Sequence, residues 1–158
     1  MKILIQRVTQ ASVEVNGEIV GSIDSGILVF VGITHSDTAS QVTWLANKLI
    51  NLRIFEDAQG KLNQSLIDQK GAALIISQFT LYADCSDGRR PSFVQAAPPE
   101  IANSLYEQFI DEVRKSGIST ASGIFGAEMK VSLINDGPIT IMLERSNHNN
   151  CKSSVKVD

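Results

Sequence analysis

The chain has 158 residues, 43% hydrophobic and 20% charged, with a net charge of −3, which suits one soluble domain with a real core. The acidic balance argues against strong non-specific nucleic-acid binding, which needs a positive surface. The longest apolar run, around Ile27–Ile33, is far short of a membrane span, and Lys2, Gln6 and Arg7 interrupt any signal-peptide core. Cys85 and Cys151 lie far apart with no pairing pattern, so a reduced, cytoplasmic setting is expected.

Taken in order, Met1–Val8 reads as a strand, and Ser12–Val15 and Ile19–Ile23 as strands alternating around the hairpin signal Asn16-Gly17. Asp24-Ser25-Gly26 turns into the apolar, β-branched run Ile27–Ile33, typical of a buried strand. Ser36 and Asp37 are candidate caps for a helix whose stripe is Val42, Leu45, Ala46, Leu49 and Leu52. Arg53–Phe55 is a short strand, Asp57–Gly60 a turn, and Lys61–Lys70 polar and irregular. Residues 72–82, AALIISQFTLY, form a strand whose alternation puts Ser77 and Phe79 on one face, Gln78 and Thr80 on the other. Ala83–Ala97 is a long loop, uncommon unless functional or disordered. Pro98-Pro99 opens a second main helix through about Ser116, with Ile101, Leu105, Phe109 and Glu112 in one row, and Gly117 stops it. Ile118–Ser122, Lys130–Ile134 and Ile139–Leu143 are strands. From Arg145 the tail is polar and expected to be mobile.

Between the last two strands lies Asn135-Asp136-Gly137-Pro138-Ile139-Thr140. Asn, Asp, Gly and Pro make it a hairpin turn on composition. A donor-less residue immediately before a strand fits that turn poorly. The alternative is a main-chain corner that faces a ligand with almost no side chain in the way. Both readings stand on spacing alone.

Ordinary catalytic arrangements are missing. His35 sits at a strand–helix junction and His148 in the tail, neither near a nucleophile elbow, and no metal-ligand spacing occurs. Cys85 is a loop thiol, and Gly17, Gly21, Gly26 and Gly32 punctuate strands rather than cradle phosphate. Ser77 and Thr80 are hydroxyls without a visible base: each either bonds nearby backbone or acts as a nucleophile. Phe79 taken alone is a core residue. Arg7, on an otherwise apolar strand, satisfies the carbonyls of a neighbouring turn or serves a site. Arg89 and Arg90 are solvated loop cations, or contacts that position an RNA phosphate.

The pair SQFTL at 77–81 and NDGPIT at 135–140 closely resembles the D-aminoacyl-tRNA deacylases, whose defining motifs are Ser-Gln-Phe-Thr and Asn-X-Gly-Pro-X-Thr. The resemblance runs from Met1 to about Leu143 and includes LIQRVTQASV, NLRIF at 51–55, RRPSF at 89–93 and FGAEMKVSL at 125–133. It implies a homodimer that hydrolyses the ester between a D-amino acid and the 3′-terminal adenosine of tRNA. No metal or cofactor is implied. By motif, Gly137 and Pro138 form a cis corner that reaches into the partner's site, with Asn135 and Thr140 holding the turn. Ser77, Gln78, Phe79 and Thr80 line the ester pocket, Arg7 orients the corner, and Met129 is a pocket wall.

This residue set suits the reaction. An aminoacyl ester is already activated, so positioning and an oxyanion donor matter more than a strong base. A main-chain N–H at Phe79 or Thr80 is a candidate donor, and the RNA 2′-hydroxyl a candidate helper for the attacking water. A nucleophilic Thr80 is the second option. Backbone at the corner rejects L side chains whatever their identity, and glycine, having none, escapes rejection. The adopted reading is an α+β single domain. Antiparallel sheets pack as a sandwich or partial barrel with two main helices on one side, the deacylase domain spanning 1–144 and the tail 145–158. Two rivals remain: an esterase or acyl-transfer enzyme with a Ser, Thr or Cys nucleophile, and a non-catalytic dimeric nucleic-acid-binding module.

Overall fold

The computed structural model describes residues 1–147. Eight strands are ordered as β1 (Lys2–Val15), β2 (Glu18–Ile23), β3 (Gly26–Gly32), β4 (Phe55–Glu56), β5 (Leu62–Gln64), β6 (Ala72–Ser77), β7 (Ser119–Ser122) and β8 (Lys130–Glu144). Helices α1 (Ala39–Ile50), the short α2 (Leu66–Gln69) and α3 (Pro99–Lys115) lie between them. This is the expected α+β domain.

The main sheet runs β2-β1-β3-β6-β7, with β8 also paired to β1. The two strands expected at 1–8 and 12–15 are one continuous β1. Its first half pairs with β3 and its second half with β2, while β8 follows it from Lys2 to Glu14 on the other side. A strand so long must curl to serve two neighbours on one edge. The Asn16-Gly17 turn supplies positive φ at both positions, as the hairpin signal requires. The far end of the sheet closes on itself at Gly21, where a Cβ would sit 2.8 Å from the Ser122 carbonyl oxygen. The β3–β6 and β6–β7 ladders are parallel, because helical crossovers separate those strands in the chain.

Two cores result. Ile3, Ile5, Ile27, Val29, Val31, Ala73 and Ile75 face the helices, meeting Val42, Leu45, Leu49, Leu105, Phe109 and Val113. Val8, Ala11, Val13, Leu28, Leu74 and Ile76 fill the inside of the curl. Strand β6 is therefore covered on both faces, which explains its unbroken apolar run.

Several local expectations change. The α1 cap is Thr38, in a capping box with Gln41. Asp37 instead pairs with the Met1 amino group at 2.5 Å, both fully buried. Ser36 supplies no cap to the helix; its carbonyl accepts from Asn147. The polar stretch 61–70 is ordered by β5 and by α2, which Ser65 and Asp68 cap reciprocally. On α3, Ile101 is exposed and the buried face is Leu105, Tyr106, Phe109, Ile110 and Val113. At the expected start of the tail, Arg145 is tied to the domain: its N–H donates to the Met1 carbonyl at 2.9 Å and its guanidinium lies 4.9 Å over the Trp44 ring. The rest of the tail, from His148, lies outside the described residues.

Candidate active site

The segment 135–140 does not turn the chain back. Strand β8 continues through it, and both flanks pair with β1, as Val8↔Asn135 and Gln6↔Thr140. Between those pairs β1 supplies Arg7 alone, whereas β8 supplies Asp136–Ile139. The surplus is thrown out of the ladder as a large bulge. Neither the hairpin nor a free loop describes it: it is a corner built into a long strand.

The single β1 residue opposite the bulge fills it. Arg7 is 6% exposed. Its Nη1 donates to the Ile54 carbonyl at 2.8 Å, and its Nε lies 2.9 Å from Asp136 Oδ2 in an ion pair not aimed along a hydrogen bond. Asn135 closes the neck: its Nδ2 donates to the Arg7 carbonyl at 3.0 Å and to the Ile139 carbonyl at 2.9 Å. Gln6 Nε2 donates to Thr140 Oγ1 at 3.2 Å across the far side. At the tip the Gly137–Pro138 peptide is cis and both residues are exposed. Gly137 has φ +117°, and a Cβ there would lie 3.0 Å from the Ile139 side chain and 3.1 Å from Arg7 Nη2. Only glycine suits both the conformation and the space.

The second motif lies elsewhere on the chain. β6 ends at Ser77, and Phe79–Tyr82 form a 3₁₀ turn, so the alternation expected through Thr80 stops at Ser77. Gln78 stays tied to the sheet through its N–H to the Val31 carbonyl at 2.8 Å. Its side-chain amide bonds the Thr80 hydroxyl. Phe79 is 58% exposed rather than core, and meets Phe93 edge-to-face at a centroid distance of 5.0 Å.

Beneath this strand end is a cavity of about 530 Å³. Ser77, Gln78 and Phe79 form one wall, and Phe125 and Met129 another, with Ala97 and Ala102 among the remaining lining residues. The lining holds, among the described residues, no carboxylate, histidine or cationic side chain. Among the described residues no group of three or more His, Cys, Asp or Glu is placed to hold a metal ion. Thr80 is outside the lining, and so are Arg7, Asn135, Gly137, Pro138 and Thr140. Within one chain the two motifs are thus brought to two separate places.

Several contributors were not singled out from sequence. Asp136 occupies the motif's open slot and pairs with Arg7. The Ile54 carbonyl belongs to the NLRIF segment, which marked it only as part of a block. Phe93 and Phe125 lie in loops without periodicity, and the RRPSF and FGAEMKVSL segments likewise marked them only as parts of a block. Tyr106, on α3, donates its hydroxyl to the Ile75 carbonyl at 2.7 Å under the strand end, and burial pushes that phenol above its ordinary pKa.

The geometry can be set beside known proteins. The family model of the D-Tyr-tRNA(Tyr) deacylases matches residues 4–144. The D-aminoacyl-tRNA deacylase of Bacillus mycoides is 56% identical over 144 residues, covering 91% of this chain and 99% of that protein. The D-aminoacyl-tRNA deacylase of Desulfotalea psychrophila is 55% identical, covering 91% and 97%. Among solved structures, the c-Myc DNA Unwinding Element Binding Protein superposes with a TM-score of 0.87 at 41% identity, over 92% of this chain and 99% of that one. A probable eukaryotic D-amino acid tRNA deacylase, at 20% identity, shares the fold with a TM-score of 0.79 over 90% of this chain and 97% of its own. With nearly the whole domain matched and both motifs intact, the chain belongs to the D-Tyr-tRNA(Tyr) deacylase family.

Proposed function

We propose that this protein hydrolyses the ester linking a D-amino acid to the 3′-terminal adenosine of tRNA, acting in the cytoplasm as a homodimer. The observation that carries the reading is the bulge at 136–139. A buried arginine and an asparagine with two hydrogen bonds hold an exposed glycine–proline corner. A corner of that kind suits recognition that ignores side-chain identity: it can hold the α-amino group and close the space on one side of Cα. Strand β8, which pairs with β1, carries Ile134 and Met142 half-exposed on either side of the corner. Pairing two copies through that region is the arrangement that would bring Gly137 and Pro138 over the partner's cavity.

In this mechanism the cavity under Ser77–Phe79 takes the terminal adenosine and the ester. Water attacks the ester carbonyl carbon, the bond to the ribose oxygen breaks, and that oxygen leaves with a proton. The N–H groups of Phe79 and Thr80 open a 3₁₀ turn, where the first amides have no partner within the turn, and they are suited to the developing oxyanion. The RNA's own 2′-hydroxyl assists the water, in keeping with a cavity whose described lining is largely apolar and has no base. An L side chain collides with the corner, a D side chain points away, and glycine is accepted because it has nothing to collide.

Matched D- and L-tyrosyl-tRNA provide the test, with glycyl-tRNA as the third substrate. Loss of the D and glycyl esters with the L ester intact is the expected result. Equal hydrolysis of D and L esters would refute the exclusion, and turnover by a strict monomer would refute the shared site. Thr80 as a covalent nucleophile ranks second, since its hydroxyl already bonds the Gln78 amide; a trapped acyl-enzyme would favour it. A non-catalytic role on nucleic acid predicts tight binding to uncharged RNA or DNA with no ester loss.

A further inference from the structure

The β6–β7 ladder stops short of the site. Its last pair is Ile75↔Ser122, and the Gly123 N–H adds a final bond to the Ile75 carbonyl at 3.1 Å. The chain then leaves the sheet to become the Phe125–Met129 wall of the cavity. Along β6 the even residues bond towards β3, as Gln78 does with Val31, so odd residues face β7. Ser77 therefore turns its main chain towards a position where β7 has already ended.

A side chain from α3 reaches the last rung of that ladder. Tyr106 is 2% exposed and its hydroxyl donates to the Ile75 carbonyl at 2.7 Å. The main-chain groups of Ser77 and Gly123 also act on this hydroxyl, in the sense opposed to burial. Its ring lies 6.0 Å from that of Phe125. The 123–129 segment is itself tightly packed, since a Cβ on Gly123 would come within 2.4 Å of the Met129 sulfur. One phenol thus joins the β6 strand two residues before Ser77, the 123–129 wall and, through its own helix, the Ala102 wall, without lining the cavity itself.

We infer that Tyr106 is a positioning residue for the deacylation: its hydroxyl braces the last rung of the β6–β7 ladder, sharing the Ile75 carbonyl with the Gly123 N–H, and so holds the Ser77–Phe79 main chain in register with the 123–129 wall. The inference rests on the deacylase reading above. If the Phe79 and Thr80 amides receive the oxyanion, their placement depends on Ser77, and misplacement by a fraction of an ångström lowers the rate more than the affinity.

The test is Tyr106→Phe, which removes the hydroxyl and leaves the ring. Single-turnover and steady-state hydrolysis of D-tyrosyl-tRNA are measured well below the melting temperature, with amide exchange at Ser77 followed by NMR. The expected result is a kcat lower by about ten- to a hundredfold with KM held within about twofold, and faster exchange at Ser77. A lower melting temperature with kcat per folded molecule unchanged would make the hydroxyl merely structural and overturn the inference. So would a raised KM with kcat unchanged. If Tyr106→Phe does not fold, Tyr106→Met in sucrose, which keeps most of the volume without the hydroxyl, is read by the same criteria. Failure of the wild type to release D-tyrosine is seen before any variant is made and counts against the deacylase reading itself.

Discussion

Gly137→Ala places a methyl group at the point where the corner is tightest. The new Cβ would stand 3.0 Å from Ile139 Cγ1, 3.1 Å from Arg7 Nη2 and 3.2 Å from the Ile139 nitrogen, on a backbone with φ +117°. The conformation alone costs an L-residue about 1–3 kcal/mol. Relief by moving the guanidinium endangers its bond to the Ile54 carbonyl, a buried charge-assisted contact worth about 1.5–3 kcal/mol. The summed penalty, about 2.5–6 kcal/mol, has two outlets. If the bulge holds its shape, the melting temperature falls by about 2–4 °C for each kcal/mol. If the bulge yields, the corner swings out of place, stability recovers, and hydrolysis of D-tyrosyl-tRNA drops by about a hundredfold. Thermal melts and deacylation assays on the same preparation separate the two outlets. A variant with wild-type stability and wild-type turnover would show that neither the space nor the backbone angle at Gly137 matters, and the account of the corner would fail.

Asn135→Asp should be worse than Asn135→Ala. The amide nitrogen donates to both the Arg7 and Ile139 carbonyls, and a carboxylate cannot donate but faces two acceptors, a loss of about 2–4 kcal/mol in chemical denaturation. The order reversed would refute the role of the amide in closing the neck. Tyr82→Phe should be neutral or stabilising by up to about 1 kcal/mol, because its buried hydroxyl finds no partner among the described residues; a clear drop in the urea midpoint would contradict this. Burial raises the pKa of both Tyr82 and Tyr106 in the fold. The unfolded chain therefore loses these protons first, so stability is intact below pH 10 and falls as pH climbs beyond it. Urea midpoints at pH 9 and pH 11 measure the slope, which should flatten in the Tyr82→Phe, Tyr106→Phe double variant.

How much was legible from the chain differs from place to place. The Asn16-Gly17 turn, the α1 stripe and the doubly buried 72–77 run follow from neighbours a few residues apart, where turn geometry and periodicity act directly. The 135–140 segment did not yield to the same treatment. Its composition describes a hairpin, yet pairing with β1 on both flanks keeps the strand running and converts the turn into a bulge. Likewise Asp37 stands beside a helix start but is drawn to the Met1 amino group, and Thr38 takes the cap. Tyr106 reads as one more apolar residue on a helix face until the fold brings its hydroxyl to the Ile75 carbonyl at the end of the β6–β7 ladder.

The amino-acid sequence by itself determined the class of fold, the residues of the two motifs and the family they belong to, because these depend on local preference and on residue identity. Only the tertiary structure decided that Arg7 lies opposite the bulge, that the Gly137–Pro138 corner stands apart from the cavity under Ser77–Phe79, and that Tyr106 reaches the last rung of the β6–β7 ladder. Those outcomes depend on which distant strands share hydrogen bonds and where each ladder runs out. Sequence spacing does not specify that register: it comes from strands far apart in the chain burying their apolar faces together.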